Sequence, residues 1–146
     1  MNQGMLNGAL IGAVIGCVIV GLMLLIAFKR RGNIKIHRLG DRRREVQAAA
    51  APAEVFERLK AIGPPFRVDD SDGPQRRLVL STQPSLASFG FFYPVVIQPR
   101  PDGGSTIHIG IESKLFQYGM IVTRWHKKAE KAITEQVTVP SARLVG

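Results

Sequence analysis

Twenty consecutive residues, Ala9 to Phe28 (ALIGAVIGCVIVGLMLLIAF), carry no charge and no strongly polar side chain, and Lys29-Arg30-Arg31 follow at once. A helix rises about 1.5 Å per residue, so about 20 apolar residues reach across the ~30 Å hydrocarbon layer of a bilayer. A lone segment satisfies its backbone hydrogen bonds there only as a helix. The run predicts a transmembrane anchor over residues 1–31, a basic juxtamembrane linker over 32–42, a small soluble domain over 43–139 and a tail over 140–146. A cleaved signal peptide would need positive charge ahead of the run and small residues at its end. Met1 to Gly8 carry no charged side chain, and the run closes on Ala27-Phe28-Lys29.

Charge sets the expected orientation. Eight of the twenty Lys and Arg residues lie between Lys29 and Arg44, against one of the eleven acids, so +7 of the formal +9 sits there. An excess of Lys and Arg marks the cytoplasmic flank of a span. The expectation is a single-pass inner-membrane protein with its N-terminus outside and its domain in the cytoplasm. Lys29, Arg30, Arg31 and Lys35 are the residues placed to meet anionic lipid headgroups, at about 1 kcal/mol each. Beyond Arg44 twelve cations face ten acids, with no aromatic-basic platform beside them, which argues against nucleic acid as a partner.

The anchor also has a patterned face. Gly4, Gly8, Gly12 and Gly16 recur every four residues, and Ala9, Ala13, Cys17 and Gly21 form a second small row. Leucine gains nothing by leaving lipid for another helix, whereas small residues let backbones approach and gain dispersion contacts. Gly4, Gly8, Gly12, Ala13, Gly16 and Cys17 are therefore the candidate packing surface for other transmembrane helices, of a second copy or of a larger complex. Cys17 is the sole cysteine, so it forms no intrachain disulfide, and it lies too deep for juxtamembrane acylation.

The remainder predicts an α+β domain with an antiparallel sheet, a short helix and a long C-terminal helix. Arg44–Ala49 reads as a strand. Pro52 suits a first helical position, and Val55, Phe56, Leu59 and Ile62 recur at helical spacing before Gly63-Pro64-Pro65. Phe66–Asp69, Arg77–Thr82, Gly90–Gln98 and Thr106–Glu112 read as strands separated by turn residues, the last two around Pro101-Asp102-Gly103-Gly104. Pro94 predicts a bulge or an edge position. Tyr118, Ile121, Val122, Trp125, Ala129, Ala132 and Ile133 form the apolar stripe of the closing helix, which ends before Pro140.

The passage VQAAAAPAEVFERL (Val46 to Leu59), a strand leading into Ala-Pro and a helix with Val-Phe, resembles the opening of START-like, helix-grip domains, and the closing helix fits the same pattern. The resemblance covers roughly residues 43–138. It implies a cavity between sheet and helix, with Phe91, Tyr93, Ile109 and Trp125 as candidate lining residues for an apolar ligand or lipid. Such domains are usually longer than this one, with an extra helix and further strands.

No catalytic constellation emerges. His37, His108 and His126 are scattered, no HxH, HExxH or CxxC spacing exists, and no metal site is expected. His108 alternates with Ile107 and Ile109 and should face away from the core, and His126 should be a solvated or core-edge residue. Asp69, Asp70 and Asp72 miss the calcium-loop spacing and suit ordinary turn chemistry before Gly73-Pro74. No cofactor is implied. Within Phe91–Ile97 both alternating faces are apolar, so Phe92 and Val96 form a candidate partner face unless the linker or the loop Gln83–Ser88 covers them. The sequence thus supports a non-enzymatic accessory or assembly subunit packing through its glycine face. The alternative is a membrane-tethered carrier of an apolar small molecule.

Overall fold

The computed structural model describes residues 3–85 and 87–138. The tail expected over 140–146 and the domain's last residue, 139, lie outside the described residues. The apolar run forms a single helix, α1 (Gln3–Lys29). It is long and apolar enough to cross a membrane, and none of its apolar window is buried within the chain. Among the described residues it is covered only near its end, where Ala27 is buried and Leu24 half-buried.

Seven elements and a short strand pairing follow. They are β1 (Arg43–Ala48), α2 (Pro52–Lys60), β2 (Phe66–Asp72), β3 (Arg77–Thr82), β4 (Phe91–Pro99), β5 (Ser105–Gly110), β6 (Glu112–Ser113) and α3 (Met120–Thr138). Pro52 opens α2, where a missing N–H leaves no helical bond unmade. Asp72 accepts the Gln75 amide at 3.0 Å and closes the β2–β3 turn.

The sheet runs β1-β5-β4-β3-β2, every pair antiparallel, with β6 also on β4. Pro94 stands in a central strand, not at an edge or a bulge. Val95 pairs with Ile109 and Phe92 with Glu112 in one unbroken register, which sets Pro94 opposite Gly110. The ladder between β5 and β6 is interrupted at that point, where proline offers no N–H. Glycine suits position 110, since a Cβ there would come within 2.8 Å of the Pro94 ring. The one register shift lies elsewhere, between Val68 and Asp70 of β2.

The helices α2 and α3 lie on one face of the sheet, in the helix-grip-like order expected from the sequence. Val55, Phe56 and Leu59 of α2 and Val122, Ala129 and Ile133 of α3 join Leu78, Leu80, Phe91, Tyr93, Ile107 and Ile109 in one core. Trp125 is packed against this core, its ring 6.2 Å from that of Phe91. Two members of the expected stripe do not belong to it. Tyr118 precedes α3 and is 75% exposed, and Ile121 is also exposed.

His126 is the other correction. It is buried, and its Nε2 lies 2.8 Å from the Ile109 carbonyl. Burial holds its pKa below 6.5, partly offset by that hydrogen bond. The neutral ring therefore donates from Nε2 and ties α3 to β5. His126→Ala should destabilise the domain by about 1–3 kcal/mol, because it removes a donor from a buried carbonyl. Trp125→Ala should cost about 3 kcal/mol through lost packing. Thermal melts of the full chain in detergent check both, and a melt unchanged from wild type for either variant would refute this placement of α3.

Candidate functional site

The face of the sheet turned away from the helices is covered in part: Val79, Phe92 and Pro94 are buried, while Glu45, Gln47 and Gln98 stay exposed. The linker crosses it. At its start Arg30 donates to the Lys114 carbonyl. The Gly32 amide then donates to Asp69 at 2.7 Å and the Ile34 amide to Asp70 at 2.9 Å. A Cβ at Gly32 would lie 2.3 Å from Val79 Cγ1, so only glycine can pass this close to the sheet. The chain turns at Asn33, whose carbonyl accepts the Ile36 and His37 amides. It returns across β4, where His37 Nδ1 meets Glu112 Oε2 at 2.6 Å and the His37 ring lies 4.2 Å from that of Phe92. Leu39 then reaches the Pro94–Gly110 step before β1 begins.

Phe92 is consequently buried beneath the linker and is not a surface open to a partner, which corrects its expected role. Val96, farther along the same face, is half-buried. Three groups surround the Phe92 ring: His37, Lys114 Nζ at 5.1 Å and the Arg30 guanidinium at 5.7 Å. Cations over an aromatic face are attracted by about 0.5–2 kcal/mol each. Arg30 stays exposed, as do Lys29, Arg31 and Lys35, while its guanidinium also reaches the Lys114 carbonyl and the Phe92 ring.

Beneath the linker lies a buried polar cluster. The Asp69 side chain is 1% exposed and accepts from Arg67 Nε at 2.6 Å as well as from Gly32. Arg67 Nε also reaches Ser81 Oγ at 3.1 Å. Lys114 is fully buried, and neither its Nζ nor Arg67 Nη2 has a hydrogen-bond partner. Burial first, and then the positive charges of Arg67 and Arg30, pull the Lys114 pKa down to about 8, against the opposing pull of Asp69. An amine so shifted is chemically a nucleophile.

The candidate ligand residues are found inside the core. Phe91, Tyr93 and Ile109 have no exposed surface, and Trp125 closes over Phe91. Their side chains belong to the core between sheet and helices. The Tyr93 ring packs edge-on against Phe66 at 5.5 Å and its hydroxyl is buried. It reaches toward Thr82 without closing a bond of normal geometry, and burial raises the phenol pKa well above 10.0. His108 faces away from the core as expected, held 3.2 Å from Gln98 Oε1. Among the described residues no group of three or more His, Cys, Asp or Glu is arranged to hold a metal.

On α1, a Cβ built at Gly4, Gly8, Gly12 or Gly16 would meet nothing within 4 Å, and Ala13 and Cys17 are exposed. The sequence does not single out the acids that seat the linker. Asp69 and Asp70 have the composition of a turn, though only Asp72 serves one.

No family model matches the sequence, and no curated protein matches it significantly. Solved structures do match. They include the crystal structure of Ara h 8.0201, at 12% identity and a TM-score of 0.49 over 66% of this chain and 93% of that one. A solution structure from Thermobifida fusca matches at 17% identity and a TM-score of 0.40, over 65% and 83% of the two chains. A crystal structure from Thermus thermophilus matches at 14% identity and 0.34, over 65% and 87%. At these values the matches add nothing to what the order of elements itself shows.

Lys114 gives the cluster a measurable signature. Its pKa is about 8 in the folded chain and 10.5 when solvated, so the folded state releases this proton first as pH rises. Folding stability should therefore grow between those two values and level off above the upper one. Lys114→Met should remove that rise, and at neutral pH should melt no lower than wild type because it deletes an unpaired buried charge. Melts of the full chain across this range test it. Parallel curves for the two proteins would show that Lys114 is not buried as described.

Proposed function

We propose that the chain is a non-enzymatic single-pass membrane protein, an accessory or assembly subunit that packs α1 against other transmembrane helices and carries its domain on the cytoplasmic side. One observation carries this reading. Among the described residues the domain engages only the later turns of α1, and the small-residue face from Gly4 to Cys17 is left uncovered. A face that admits close backbone approach gains nothing from lipid and gains dispersion contacts from another helix. The cations exposed after α1, Lys29, Arg31 and Lys35, support the orientation and a contact with anionic headgroups. The carrier reading has less support, because the residues expected to line a cavity make up the core instead.

Gly12→Ile or Gly16→Ile should leave membrane insertion intact and sharply reduce crosslinking between α1 and its neighbour, since the new side chain holds the backbones apart. Photo-crosslinking in native membranes, with mass spectrometry of what co-purifies in mild detergent, measures this. Unchanged crosslinking and unchanged co-purification would sink the packing role. Orientation has its own test: reporter fusions after Gly146 should be active only when the reporter works in the cytoplasm. Activity confined to an extracytoplasmic reporter would reverse the topology.

A further inference from the structure

The loop between β6 and α3, with the first turn of α3, breaks the usual rule for a soluble surface. Within a few residues it holds Phe116 at 87% exposure, Tyr118 at 75%, Met120 at 80% and Ile121 at 43%. A contiguous apolar patch of this kind marks a surface covered by something other than water. Its position tells what covers it. Phe116, Tyr118 and Ile121 line a groove of about 410 Å³ whose opposite wall is Val20 and Leu24 of α1. Phe89, from the loop between β3 and β4, belongs to the same groove.

Depth follows from helix geometry. Leu24 lies about 7 Å and Val20 about 13 Å before the end of α1 at Lys29, at roughly 1.5 Å per residue. If α1 spans the bilayer, the side chains facing those two residues stand below the level where its basic flank meets the headgroups. A water-exposed loop cannot occupy that level. Amphipathic elements that lie in the interface bury their apolar side about 5–10 Å below the headgroup boundary, the same range. The chemistry next to the loop fits as well. Met120 also borders a groove of about 560 Å³ whose charged residues are Arg42, Arg124 and Lys127, with no acid among its lining residues. Aromatic and aliphatic tips beside unopposed cations suit acyl chains below anionic headgroups.

We propose that the loop from Phe116 to Ile121 is a second membrane contact, inserted into the cytoplasmic leaflet beside α1, with lipid acyl chains filling the groove between them and Arg42, Arg124 and Lys127 facing the headgroups. This inference rests on the reading of α1 as a membrane span. The occupant is the lipid bilayer itself. A second copy of the chain or another protein would shield the loop in a different way, which the test separates.

The experiment uses the full chain with Cys17→Ala, carrying one nitroxide label at a time through Phe116→Cys, Tyr118→Cys, Val20→Cys or Asp102→Cys. Each is reconstituted in vesicles of mixed zwitterionic and anionic phospholipid. Phe116 and Tyr118 are exposed, so labelling them leaves the core intact. Power-saturation measurements then compare oxygen, which concentrates in lipid, with a water-soluble nickel chelate. The labels at positions 116 and 118 should favour oxygen, as the label at 20 does, while the label at 102 in the β4–β5 turn favours nickel. Nickel-accessible labels at 116 and 118 beside an oxygen-favouring label at 20 would overturn the insertion and spare the anchor. Labels at 116 and 118 shielded from both relaxants would overturn it in favour of a protein cover. A nickel-accessible label at 20 would overturn the anchor and the insertion together.

Discussion

The outer half of this structure depends on one carboxylate. Asp69, 1% exposed, is held between Arg67 Nε at 2.6 Å and the Gly32 amide at 2.7 Å. A charge taken out of water is tolerated only when its partners are well placed. Without Gly32 above it, Asp69 would face solvent on a bare sheet. Without Asp69, the linker would lose its first fixed point, and the half-buried Arg67 would lose its ion-pair partner. The register shift between Val68 and Asp70 makes this possible. It presents two consecutive acids to the linker, and they take amides two residues apart, Gly32 and Ile34. The shift thus builds a clamp out of an irregularity in β2.

Covering both faces of the sheet explains a pattern that periodicity alone left open. A strand buried on one side alternates apolar and polar residues, whereas one buried on both sides reads as a continuous apolar run. Phe91 to Ile97 is such a run. Phe91, Tyr93, Val95 and Ile97 face α2 and α3, while Phe92 on the opposite face lies beneath His37 and Gly32. The second layer over this small sheet is an extended segment held by side-chain carboxylates. A short domain can in this way bury part of both faces of its sheet. On the helix side Phe66, Tyr93, Phe91 and Trp125 pack ring against ring.

The elements themselves were legible in the sequence because each rests on local periodicity and punctuation. The apolar run, the Pro52 start, the alternation in Ile107–Ile109 and the spacing of Val122, Trp125, Ala129 and Ile133 all report on neighbours within a few residues. The linker was not legible, because its contacts are long-range bonds from backbone amides to side chains and leave no periodic mark. Asp69 and Asp70 looked like turn acids because Asp72-Gly73-Pro74 follows them, and local composition cannot separate the three. His126 looked peripheral because it follows Trp125 at the edge of an apolar stripe. Its burial depends on where the Ile109 carbonyl lies, a tertiary fact. Pro94 looked like an edge signal because a central strand normally needs its N–H, and the interruption between β5 and β6 shows how that need was met.

The folded linker also changes what an anchored domain can do. A flexible segment of about 11 residues would let a domain wander over a root-mean-square span of about 18 Å. Every surface on it would then meet partners in many orientations. Here the segment is fixed to Asp69, Asp70 and Glu112, and Arg30 binds the Lys114 carbonyl directly after α1 ends. These bonds tie the end of α1 to the sheet through the linker. Under the packing role proposed above, a linker fixed in this way would have a thermodynamic consequence. Contacts made by the domain and by the helix face need no further ordering of the chain between them, so the second contact forms at high effective concentration once the first is made. Weak interfaces at both levels can then add to a stable assembly, which a loosely tethered domain of the same composition would not achieve.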